Sequence, residues 1–226
     1  MITLPFHPQM FVSLNKMLDL MNNYIAKTFF HEIDGSMNEM LKYKSHLERM
    51  KEIGTTTINP RIDLNTEQYV RLHDFEDVSI PFAWGVPLLN QLQKEHQINA
   101  EYMEISALLK YVDVDNLDKP QLGVALHNKK PIYVVHYEPL AIDIVVDGNH
   151  RIVAKGYQQQ HNPSATIKGF YFPSELSLLA MESSFNVDVY RILCNLKRMN
   201  EYCVQLRKGD TQSVIPNLLG LDPIWT

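Results

Sequence analysis

The chain contains little that would cross-link it or hold it in a membrane. Only two of its 226 residues are cysteines, Cys194 and Cys203, so no disulfide framework carries its stability. In a segment that reads as helix, their separation turns the second side chain about half a circle from the first, which rules out a bridge there and leaves two buried thiols in a reducing compartment as the expectation. No run of about eighteen apolar residues occurs, because Lys, Asp or Glu interrupts each greasy stretch, and a spanning helix is excluded. Positive charge is also scarce. Lys and Arg number 21 against 26 for Asp and Glu, a net charge of -5, so the broad field that drives non-specific phosphate binding is missing. The opening MITLPFHPQMFVSLNK lacks a basic stretch ahead of an apolar run and is not expected to be a signal peptide. A cytoplasmic protein with no membrane partner is the resulting expectation. Walker loops, GxGxxG turns and GxSxG elbows are absent, and the nine histidines form neither HxH, HExxH nor a cluster with cysteine, so the metal content stays unknown.

What is present is enough to fold. Hydrophobic residues make up 45% of the chain, and at this length folding buries about 70 to 75% of the unfolded surface, in one domain or two. Met10, Leu14, Met17, Leu18, Met21, Ile25 and Phe29 recur at helical spacing. A second stripe from Met37 to Ile53 begins at Ser36 with Glu39 three residues later, the signature of a capping box, and stops at Gly54. Residues 55–82 read as connecting structure with a short helix starting at Asn65, and residues 85–98 as a third main helix. Residues 1–100 are therefore expected to form a helical region.

Beyond Glu101 the period changes. Residues 101–107 read as a strand and 121–127 as a short helix. Residues 131–137 and 141–146 are two β-branched runs expected to pair, and 165–172 is a further strand. A long amphipathic helix follows over 186–206, with Val189, Leu193, Leu196, Met199, Cys203 and Leu206 on one face, and the tail is expected to dock through Trp225. The fold class is α+β: a small mixed sheet over residues 101–173, a helical region before it and a helical extension, residues 174–226, packing on it.

The chemistry concentrates where the second β-branched run ends, at Asp147-Gly148-Asn149-His150-Arg151, ahead of a short helix closed by Gly156. The start of a helix offers unpaired amides and the positive end of its dipole, so an anion can sit there. Gly148 allows close backbone approach, Asn149 can cap, and His150 and Arg151 add directional donors. Asp147 can serve magnesium, orient His150 or accept a hydroxyl proton. The long uncharged run ahead of the turn suggests a buried central strand, and open sheets bind ligands beyond the carboxyl ends of such strands. The plainer alternative is a hairpin turn whose His150 and Arg151 are solvated. Lys129 and Lys130 can steer a phosphate, His136 and His161 flank the turn, and Glu104, Asp113 and Asp115 are candidate acidic partners.

Pro131-Ile132-x-Val134, a second strand, and then Asp147-Gly148-Asn149-His150-Arg151-x-x-Ala154 resemble the ParB N-terminal domain and sulfiredoxin superfamily over about residues 101–172. The resemblance implies a small αβ domain that binds a nucleotide, ATP or CTP with magnesium, with Gly148, Asn149, His150 and Arg151 around the phosphate and Asp147 matching the Asp-Gly form of ParB-like nuclease members. It also implies an acidic base or metal ligand of the free-serine-kinase kind, for which Glu104, Asp113 and Asp115 are the candidates. Asn149 stands where sulfiredoxin carries its reactive cysteine, so thiol attack is excluded. The Arg-containing stretch of partition proteins is replaced by KYVDVDNLDK at residues 110–119, and no helix-turn-helix follows Phe172.

These readings lead to a nucleotide-binding protein, or one binding another phosphorylated small molecule. As an enzyme it would be a magnesium-dependent phosphotransferase, NTPase or nuclease with Asp147, His150 and Arg151 catalytic. On that reading Arg151→Ala removes binding without changing thermal stability. The alternative is a non-catalytic plasmid or phage accessory module. DNA is disfavoured as a partner by charge, although Lys197, Arg198, Arg207 and Lys208 can gather on one face, and the long helices offer a surface for a homodimer.

Overall fold

The amphipathic stripes and β-branched runs form their elements largely where their periods place them. The computed structural model describes residues 2–26, 35–75, 78–112, 114, 117–159, 162, 164–209, 217–222 and 224. In chain order the elements are β1 (Thr3–Pro5), α1 (Pro8–Ala26), α2 (Ser36–Ile53), β2 (Thr55–Thr57), β3 (Gln68–Phe75), β4 (Val78–Gly85), α3 (Val86–Glu95), β5 (Glu101–Glu104), α4 (Ile105–Leu109) and α5 (Gln121–His127). There follow β6 (Ile132–Tyr137), a 3-10 turn (Glu138–Leu140), β7 (Ile142–Asp147), α6 (Asn149–Gln158), β8 (Thr166–Phe172), α7 (Ser174–Leu179) and α8 (Ser184–Arg207). The protein is α+β, with two compact units: one comprises Met1–Pro60, Val70–Ala83 and Glu182–Thr226, the other Arg61–Tyr69 and Trp84–Met181. The segment at residues 101–173 lies wholly within the second unit, which also takes in α3 and α7.

In the first unit α1 packs on α2 and buries Leu14, Met17, Leu18 and Met21, as the stripe requires. The capping box at Ser36 does not form. The chain enters α2 through left-handed Gly35 (φ 82°), which makes Ser36 the first helical residue, buried, with no side-chain cap. Glu39 instead hydrogen-bonds the Tyr43 hydroxyl, and burial together with that carboxylate pushes the phenol well above its ordinary range. Gly54 ends α2 in the left-handed conformation, its amide donating to the Met50 carbonyl.

Residues 55–82 are not a connection. They hold β2, paired antiparallel with β1, and the strands β3 and β4, which pair with each other, while an Asx turn at Asp63 stands where a helix was expected from Asn65. The pattern of β3 is inverted: Val70 and Leu72 are more than half exposed and His73 is buried against Phe82, so the binary code of the strand points the wrong way.

Helix α8 buries Val189, Leu193, Leu196, Met199 and both cysteines, which form no disulfide, and Ser183 caps it by accepting from the Asn186 amide. Side chains of α8 hold the C-terminal segment by its main chain. Asn195 donates to the Leu219 carbonyl at 2.9 Å and accepts from the Leu219 amide at 2.7 Å, while Arg198 and Arg191 donate to the carbonyls of Asn217 and Asp222. The anchor is therefore a fully buried Asn195, which also donates to Tyr43; Trp225, expected to dock the tail, lies outside the described residues.

The second unit is built on a four-stranded sheet of order β5-β8-β6-β7, antiparallel except for the β6–β8 pair. Ile132, Val134, Val145 and Ile167 of the sheet pack with Ile105, Leu108, Ile152 and Val153. Strand β7 is thus an edge strand, not a central one; it reads as central because Ile144, Val145 and Val146 are all buried although the strand pairs on one side only. The strand expected over 101–107 stops at Glu104, where the Ile105 amide turns to the Ala165 carbonyl and α4 begins. Gly156 does not close α6, which runs through it to Gln158. A side chain there would meet Leu109 at 2.6 Å, so the glycine serves the contact between α4 and α6.

Two outcomes follow. Asn195→Ala leaves the Leu219 main chain and the Tyr43 hydroxyl short of partners, at a cost of about 1–3 kcal/mol in denaturant unfolding, with faster hydrogen exchange at the Leu219 amide. Burial, reinforced by nearby Arg71, lowers the pKa of His73 from 6.5 to about 3. The unfolded chain therefore binds this proton at a pH where the folded one does not. Stability should fall by at most about 1.4 kcal/mol per pH unit from this group as pH drops from 6.5 toward 3, a slope that His73→Gln removes from the pH dependence of unfolding.

Candidate functional site

The turn from β7 into α6 is set by one glycine. Gly148 sits at φ 100°, and a Cβ there would lie 2.4 Å from Ile132 Cγ2 and 2.8 Å and 2.9 Å from Nη2 and Nε of Arg151, so conformation and space both demand glycine. The first helical bond runs from the Ile152 amide to the Gly148 carbonyl, and no side chain caps the helix. Asn149, expected as a cap, turns the other way and donates through Nδ2 to the Val145 carbonyl at 3.0 Å.

Arg151 takes a different part from the one its sequence position suggests. It is only 6% exposed. Nη1 donates to the carbonyls of Lys130 and Pro131 at 2.9 Å and 3.0 Å, and Nη2 donates to Asp147 Oδ2 at 2.8 Å. Three of the five guanidinium donors are thereby spent inside the protein, and the group lies close against Gly148. The guanidinium is neither solvated nor an open fork for a ligand; it ties the entry of β6 to the exit of β7 and the start of α6. Asp147 is correspondingly held in an ion pair, its side chain 30% exposed.

A cavity of about 670 Å³ opens beside this turn. Asp147, Gly148, His150 and Arg151 form one part of its lining, with Lys130 next to them. Nε2 of His150 is buried and has no hydrogen-bond partner. One face of α5 and the residue after its end supply Gln121, Val124, Ala125 and Asn128, and Glu67 comes from the segment leading into β3. Among the described residues Lys130 and Glu67 form no ion pair, with each other or with another group. The site thus combines an uncapped helix N-terminus, a cation and an unsatisfied imidazole nitrogen, all suited to an anion, with one unpaired carboxylate.

The other candidates are elsewhere. Glu104 is exposed at the end of β5, on the opposite edge of the sheet from β7, and does not reach the cavity. Asp113, Asp115 and His161 lie outside the described residues. His136 pairs with Asp143 at 2.8 Å and packs near Tyr171, whose pKa is pushed up to about 12 by burial and by Asp143; none of these residues lines the cavity. Lys129 does not line it either. Among the described residues no three His, Cys, Asp or Glu gather as a metal would need. The carboxylates lining the cavity are Glu67 and the Arg151-bound Asp147, a donor set that fits magnesium only when phosphate oxygens complete it. Glu67 and the α5 face were invisible beforehand because nothing in their sequence neighbourhood marks them; folding brings them to the turn.

Two substitutions probe this anchor. Gly148→Ala, strained in φ and in contact with Ile132 and Arg151, should lower unfolding free energy by about 2–4 kcal/mol. Arg151→Ala should cost about 3 kcal/mol, since it leaves two carbonyls and Asp147 without their donor. Both are read from chemical denaturation in the absence of ligand, and an unchanged midpoint for Arg151→Ala would contradict the anchoring role. No protein-family model, curated protein or solved structure matches the chain.

Proposed function

We propose that the cavity binds a nucleotide such as ATP or CTP, with a phosphate at the N-terminus of α6 between His150 and Lys130. The observation that carries this reading is the buried, unpartnered Nε2 of His150 at an uncapped helix start, on the rim of a cavity large enough for such a ligand. Leaving that nitrogen unpaired costs about 1–3 kcal/mol, which a phosphate oxygen recovers when the ring turns a protonated Nε2 toward the cavity. Lys130 adds charge, and the amides at the head of α6 add donors already aligned with the helix dipole. Arg151 serves by position, holding Gly148 back so that the phosphate can approach the main chain. Magnesium, if it accompanies the ligand, rides on the phosphates with Asp147 or Glu67 as the protein's share. Asp147 is the group through which phosphoryl transfer or hydrolysis would run, as acceptor of a hydroxyl or water proton.

Isothermal titration with ATP and CTP, with and without magnesium, tests the reading. Binding should weaken at least tenfold in Lys130→Ala and in His150→Ala, while the ligand-free thermal transition of His150→Ala is unchanged or raised. Absence of binding by nucleotides, pyrophosphate and inorganic phosphate at millimolar concentration would refute it. Release of inorganic phosphate in the same mixtures separates an enzyme from a binding module.

A further inference from the structure

The cavity wall opposite in character to the phosphate-binding turn carries information about the rest of the ligand. Gln121, Val124, Ala125 and Asn128 fall at i, i+3, i+4 and i+7, so one stripe of α5 and its exit faces the cavity with two apolar residues in the middle and an amide at each end. Val124 is 77% exposed, an unusual position for a valine that lines a cavity. The outer amides are partly engaged: Gln121 Nε2 donates to Asp118 and Asn128 Oδ1 accepts from the Lys130 amide, which leaves an acceptor on Gln121 and donors on Asn128. Glu67 is exposed, and its side chain has no hydrogen-bond or ion-pair partner among the described residues. It shares the cavity with Lys130, yet the two are farther apart than an ion pair allows. A ligand that satisfies both must be anionic at one end and present hydrogen-bond donors at the other.

We infer, resting on the nucleotide reading above, that Glu67 is the sugar subsite and the α5 stripe the base subsite: the ribose hydroxyls donate to Glu67 and the base lies on Val124 and Ala125. A carboxylate only accepts, and it repels phosphate, so it belongs beside a group rich in donors. A vicinal diol offers two hydroxyl hydrogens to its two oxygens. The apolar centre of the α5 stripe suits the face of a flat ring, while the amides at its ends meet the polar ring edge.

Titrating the full chain with CTP and ATP, with their 2′,3′-dideoxy forms, and with pyrophosphate decides this. The ribonucleotides should bind at least tenfold more tightly than the dideoxy forms, and Glu67→Gln should abolish that preference while leaving dideoxy and pyrophosphate affinity unchanged or raised. Val124→Ser, polar but uncharged, should weaken both nucleotide series and spare pyrophosphate. Equal affinity for ribo and dideoxy forms overturns the inference, as does a preference that survives Glu67→Gln, and a contact between Glu67 and a base amine would appear as the first of these. Pyrophosphate binding without nucleotide binding overturns the inference and leaves the phosphate reading standing. Binding of none of the probes overturns both.

Discussion

A single buried guanidinium organises the candidate site. Burying the charge of Arg151 is tolerable only because every hydrogen on Nη1 has a carbonyl and Nη2 has a carboxylate. The partners are the carbonyls of Lys130 and Pro131, at the entry of β6, and Asp147, the last residue of β7. Strand entry, strand exit and helix start are therefore clamped at one point. Gly148 lies close against the guanidinium, and its left-handed conformation starts α6 beside the cavity that Gly148 itself lines. The Lys130 carbonyl is held by the same group, so the residue that carries the free ammonium is positioned by the anchor it never touches through its side chain.

This arrangement divides the Asp-Gly-Asn-His-Arg sequence into residues that pair with one another to make the turn and one that is left unpaired. Asp147, Gly148 and Arg151 are consumed by one another, and Asn149 is consumed by the Val145 carbonyl. His150 keeps an unspent nitrogen. A motif read as five ligand contacts is, in three dimensions, a scaffold held by Arg151 that leaves one imidazole, a row of amides and the partly exposed Asp147 for chemistry.

Much of the fold was legible because period and burial agree. The stripes of α1 and α8 bury the residues that their spacing places inward, α5 occupies the expected span 121–127, and β6, β7 and β8 follow their β-branched runs. Reading failed where they disagree. In β3 the apolar residues face out and a histidine faces in. At Ser36 a preceding glycine moved the helix boundary by one residue, and at Gly156 the absence of a side chain answered a demand from α4 instead of ending a helix. The edge position of β7 was hidden because burial on both faces gives an edge strand the composition of a central one.

The site was legible only along the chain. Local sequence marks a strand that ends in Asp-Gly before a helix, and it marks Lys130 by its neighbours. It cannot show that Arg151 turns inward, because that choice depends on two carbonyls twenty and twenty-one residues away. Nor can it place Glu67, which enters from the segment before β3, beside a turn eighty residues later. The consequence is chemical. Along the chain the turn is a cationic feature suited to any phosphate, whereas the folded cavity pairs that feature with a carboxylate acceptor and an apolar stripe. Free phosphate can satisfy the first alone; a ligand that satisfies all three must carry charge, hydrogen-bond donors and a flat apolar face in one molecule, which narrows the choice more sharply than the motif does.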